Sequence, residues 1–179
     1  MMSQLFELWV AHDSTLDKMA QNYKTHALLA ADERKELVQA LRRTRPVAML
    51  DRLFMAKMDL SWHSSYTANT TSSVLSQRVK IARETLVLPF SSNNCDFCAR
   101  VPCNEYGSSF YSLWSEIYSA DAMEYFTNVN VSNDTQLRVL GNKMAAELLV
   151  SGMGKDAEAQ YKKFRGRSVS TDHFVTHLT

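Results

Sequence analysis

Glycine is scarce in this chain: five residues, at positions 107, 141, 152, 154 and 166, among 179, where ordinary usage is roughly 7%. Neither a G-x-G-x-x-G turn nor a G-x-x-x-x-G-K-[ST] loop can be built from them, which excludes the common backbone cradles for dinucleotides and nucleoside phosphates. No run of 18 consecutive apolar residues occurs, so no membrane span and no membrane partner is expected. The opening residues have no basic segment ahead of their apolar ones, and Glu7, His12 and Asp13 interrupt the run. That pattern predicts no signal peptide and a cytoplasmic or other intracellular location, not secretion. Sequons at Asn69, Asn130 and Asn133 are then chance features of polar connectors.

Excess charge of either sign is also missing. Twenty Lys and Arg against 19 Asp and Glu disfavour both a dedicated DNA coater and an acidic nucleic-acid mimic. No Pro/Gly-rich stretch divides the chain, so the expectation is one domain over residues 1–179. An apolar share of 45% with 10% aromatics is enough to fill a core.

What is present is helical periodicity. Leu5, Leu8, Trp9, Leu16, Met19, Ala20, Tyr23 and Ala27 recur at three- and four-residue steps and predict a helix over about residues 3 to 29. Asp32 reads as the cap of a helix carrying Leu37, Val38 and Leu41. Pro46 interrupts that helix and can stand in the first turn of the next, which carries Val47, Leu50, Leu53, Phe54 and Met58. A polar loop over 64–73 leads to a helix from Val74 that ends before Pro89. A cysteine loop over 91–107 follows. Ser108 or Ser109 caps an aromatic helix whose Phe110, Trp114 and Tyr118 would share one buried face. Asn133 or Asp134 opens another helix, stopped by Gly152 and Gly154. Ala157, Tyr161 and Phe164 mark a last helical piece, and 168–179 reads as a mobile tail with one turn around Phe174. No segment alternates with period two. The fold class expected is all-α, a single-domain bundle of about six amphipathic helices with a cysteine-containing loop between helices four and five.

All three cysteines lie within that loop, as Cys95, Cys98 and Cys103. A Cys-x2-Cys pair has the spacing for one tetrahedral metal ion, and Cys103 adds a third thiolate. A fourth ligand would have to come from His12, His26, His63, His173 or His177, none of which is singled out by spacing. Three readings stay open: small thiols packed in a turn with no cofactor, zinc ligation, or a redox or disulfide role. The Trp62-His63 pair, at the end of a helix, reads as a packing anchor and not as a catalytic histidine.

Charge is unevenly placed. No Lys or Arg lies between Arg100 and Arg138, a stretch holding Glu105, Glu116, Asp121, Glu124 and Asp134. Basic residues gather as Arg42, Arg43 and Arg45, and again as Lys162, Lys163, Arg165 and Arg167. Either cluster is a solvated helix end or a set of phosphate contacts. Nine methionines, Met55, Met58 and Met144 among them, suit the filling of an irregular core.

With no catalytic signature visible, the expectation is a non-enzymatic helical protein of viral or phage type. It would act through protein-protein contacts as an assembly component, adaptor or inhibitor, with another protein or copies of itself as partner. The alternative is a nucleic-acid-associated helical module, such as a nucleocapsid-type subunit, binding phosphates through the arginine clusters.

Overall fold

The computed structural model describes residues 1–67, 73–90, 100, 106–129, 133–150, 152 and 154–178. The described residues are mostly α-helical and contain no strand beyond one isolated bridge, Gln21 with Leu28. Among them no helix is long and apolar enough to cross a membrane. They group into two compact units, residues 1–40 with 115–179, and residues 41–114.

The first unit opens with α1 (Met2–Val10) and α2 (Asp13–Met19), which bury Leu5, Leu8 and Leu16. The single helix expected over 3 to 29 is therefore broken. His12 adopts extended backbone between the two helices. Beyond Met19 the Asn22 side chain accepts hydrogen bonds from the Lys24 and Thr25 N–H groups, and His26 takes a positive φ of 55°. Asparagine closing its own turn competes with the helix, so apolar spacing alone overran the boundary. In α3 (Ala31–Arg43) the Glu33 carboxylate reaches back to the Ala30 N–H, and Arg34 pairs with Asp13 and Asp17 of α2.

The second unit is built on α4 (Arg45–Ser64), which carries Pro46 in its first turn as the sequence predicts. It packs on α5 (Val74–Thr85), whose first turn is capped by the Ser73 hydroxyl accepting from the Ser76 N–H. Phe54, Met55, Met58, Ile81 and Ala82 form the core between them, with Trp62, Leu86 and Phe90 against its edge. The Phe54 and Phe90 rings meet edge to face at 5.4 Å.

The first unit resumes along α6 (Tyr111–Thr127), and its buried face is not the expected one. Phe110 is 39% and Trp114 54% exposed, whereas Leu113, Ala120, Ala122, Met123 and Phe126 are buried. Ser119, Ala120 and Ala122 are small and buried on this face, and the Ser119 hydroxyl donates to the Met1 carbonyl at 2.7 Å. Next comes α7 (Asp134–Met144), capped by Asn133, and one π-helical turn at Ala145–Leu149. The following helix, α8 (Ala157–Arg165), is capped by Asp156 and closed by Gly166 at φ 79°. Finally α9 (Asp172–Leu178) occupies what the sequence suggested was a mobile tail, and Phe174 anchors it at 7% exposure.

Candidate functional site

Two constellations of titratable side chains stand out, one in each unit. In the first unit Asp121 on α6 is fully buried. Its Oδ2 accepts from the Tyr161 hydroxyl at 2.6 Å and from Arg165 Nε at 3.0 Å, and its Oδ1 from Arg167 Nη2 at 2.5 Å. Arg165 also pairs with Glu124, one turn along α6. Helical spacing sets this up: 121 and 124 share a face of α6, and 161 and 165 share a face of α8. Burial by itself would push the Asp121 carboxyl up, but the hydrogen bonds from Arg165, Tyr161 and Arg167 outweigh it and hold it below its ordinary value. Tyr161 is pushed up, first by burial and then by its bond to Asp121.

The acidic stretch and the second basic cluster of the sequence are thus partners of one another. Arg165 is 5% exposed and ion-paired, so it belongs to the interior and not to an open basic patch. Lys162 pairs with Glu158 at 2.8 Å on the surface of α8, and Lys163 is exposed. Arg42 and Arg43 are exposed on the last turn of α3, and Arg45 is half-buried at the start of α4.

In the second unit the buried carboxylate is Asp59 on α4, wholly inaccessible. It accepts from the Gly107 N–H at 2.8 Å, the Ser109 N–H at 3.0 Å and the Ser109 hydroxyl at 2.7 Å. His63, one turn along, brings Nδ1 to 3.0 Å from Asp59 Oδ1 and stacks on Tyr106 at 5.7 Å. Burial would raise the Asp59 pKa, but these hydrogen bonds and the neighbouring His63 lower it. Gly107 stands at φ 78°, a conformation open to glycine at little cost. Nothing in the sequence marked Asp59, because its donors lie about 50 residues away. Cys95, Cys98 and Cys103 lie outside the described residues.

One group has metal-ligand chemistry: Asp121, Glu124 and His173 place one ligand atom each within 4.8 Å of one another. Their lone pairs are already taken by two guanidinium groups, and His173 Nε2 stands 3.7 Å from Glu124. Fixed cations at that distance repel a dication, so the group is an ion-pair cluster and does not fit a metal.

Comparison with known proteins overturns the functional expectation. The model of peptidase family M3 matches residues 1–179. An organellar oligopeptidase A of Arabidopsis thaliana, chloroplastic/mitochondrial, is 26% identical over 178 residues, and a probable cytosolic oligopeptidase A of the same plant is 28% identical over 179. Oligopeptidase A of Haemophilus influenzae is 25% identical over 183 residues. Each comparison takes in 98% of this chain but 22%, 25% and 26% of the relative. The chain spans about a quarter of the length of the curated relatives it matches. A non-enzymatic adaptor or assembly protein of viral type and a nucleic-acid module are both contradicted by this family of enzymes.

Proposed function

The chain belongs to peptidase family M3, and from that membership we propose that it acts in the hydrolysis of oligopeptides. The observation that carries this reading is the family match across residues 1–179, joined by relatives named as oligopeptidases. The names of those relatives include cytosolic and organellar proteins, which supports an intracellular setting.

The cofactor this reading brings with it is zinc, the metal of M3 peptidases. When bound, zinc supplies polarisation of the scissile carbonyl and a water of lowered pKa. The described residues do not fit it. A zinc-peptidase helix of the H-E-x-x-H kind places two histidines four residues apart with a glutamate after the first. That string occurs nowhere in the sequence. His173 and His177 have the spacing, but Phe174 stands in the glutamate's place and is buried as an apolar anchor. The Asp121 cluster is held by arginines. No hydrolytic step is therefore assigned to these side chains, and the part proposed for the chain is a braced helical framework that contacts the peptide.

The test is calorimetric titration of the natural protein with an oligopeptide blocked at both ends, since peptide contact is the part proposed for the chain. Saturable binding is the expected result. A protein that takes up no peptide at any concentration would overturn the proposal.

A further inference from the structure

His63 is held more tightly than a helix-end packing anchor requires. Its Nδ1 faces the Asp59 carbonyl oxygen at 2.8 Å and Asp59 Oδ1 at 3.0 Å. Both are acceptors, so Nδ1 donates to them, and in the neutral imidazole Nε2 is left as the acceptor. Tyr106 lies along the ring with an interplanar angle of 24°. The backbone of Gly107 closes on the same side chain, since a Cβ built there would come within 3.4 Å of His63 Cβ. Orientation, tautomer and position are all fixed. Yet the side chain remains 39% exposed, and Nε2 has no hydrogen-bond partner among the described residues.

Holding the turn does not explain this arrangement. Asp59 already receives two N–H groups and one hydroxyl from residues 107 to 109, so its oxygens are satisfied without the imidazole. What Asp59 gives His63 is a single orientation, the role a buried aspartate plays wherever a histidine must present Nε2 as an acceptor. Tyr106, 37% exposed, supplies an apolar flank beside that nitrogen.

We propose that His63 contacts the peptide, its Nε2 accepting a hydrogen bond from a substrate backbone N–H, with Asp59 as its positioning residue. This rests on the oligopeptidase reading, which supplies the ligand class.

The experiment is ring-nitrogen NMR of the chain labelled at histidine, titrated with a heptapeptide of alanine and phenylalanine blocked at both ends, so that backbone N–H groups are its donors. Before addition, His63 should show a protonated Nδ1 and a bare Nε2, since both the Asp59 carbonyl and its carboxylate accept from Nδ1. On addition, the Nε2 resonance should move. His63→Phe, which keeps a ring against Tyr106, should weaken peptide binding about three- to tenfold, the range of one hydrogen bond. A peptide that shifts other resonances while His63 Nε2 stays still, or that binds His63→Phe as tightly as the natural chain, overturns the assignment and leaves the oligopeptidase reading intact. A peptide that shifts nothing overturns both the assignment and the reading of the chain as a peptide-contacting framework. The ring-nitrogen result on the unaltered chain stands whether or not the variant folds.

Discussion

Asp121→Asn removes one charge from the most enclosed ionic cluster of the first unit, and its cost can be worked from the geometry. The wild-type carboxylate is fully buried and receives bonds from Tyr161, Arg165 and Arg167. An amide keeps the shape but leaves Arg165, 5% exposed, with only Glu124 as a counter-charge, and turns an N–H₂ group towards donors. Breaking a buried pair by removing one partner costs about 3 to 5 kcal/mol, a large part of a total stability of about 5 to 15 kcal/mol. At about 2 to 4 °C per kcal/mol for a chain of this size, the melting temperature should fall by about 6 to 20 °C. The assay is thermal melting followed by circular dichroism at neutral pH. Acid titration adds a sign. The Asp121 pKa is depressed in the folded state below the ordinary carboxylate value by its bonds from Arg165, Tyr161 and Arg167. Its contribution is therefore present above the unfolded value, about pH 4, and is lost as pH falls through the folded value. Asp121→Asn should be the less acid-sensitive protein in that window. A variant melting within 2 °C of wild type at neutral pH would refute the view that this cluster braces α6 against α8.

Phe54→Ala should cost about 3 to 5 kcal/mol, since Phe54 is 2% exposed at the centre of the α4/α5 core, and urea denaturation measures it. Gly107→Ala meets ordinary contact at His63 but forces φ 78° on an alanine, so a loss of about 1 to 2 kcal/mol is expected from a melt. Arg42→Ala with Arg43→Ala should change stability by less than about 0.5 kcal/mol, because both are exposed at a helix end. Zinc added to the chain should leave the Asp121 cluster unoccupied, so His173→Ala should not alter zinc content by elemental analysis.

Local chemistry made much of the fold legible. Ser73, Asn133 and Pro46 stand where capping and proline rules place helix starts, and the methionines at 55, 58 and 144 are buried as gap-fillers should be. Long apolar runs misled where a polar side chain closed its own turn, as at Asn22. The aromatic stripe of α6 misled because the buried face carries the small Ser119, Ala120 and Ala122 while Phe110 and Trp114 are exposed, an outcome of tertiary packing that periodicity does not show. Neither carboxylate site could be read from the sequence. Asp59 meets its donors 48 and 50 residues away, and Asp121 meets Arg165 at a separation of 44. Part of the charge asymmetry is internal pairing, Asp121 and Glu124 with Arg165 and Arg167.

The central claim, that the chain contacts oligopeptides, is tested most directly by titrating the natural protein with an unlabelled oligopeptide in a calorimeter. Saturable binding is the result expected. No heat of binding at any peptide concentration would contradict the account.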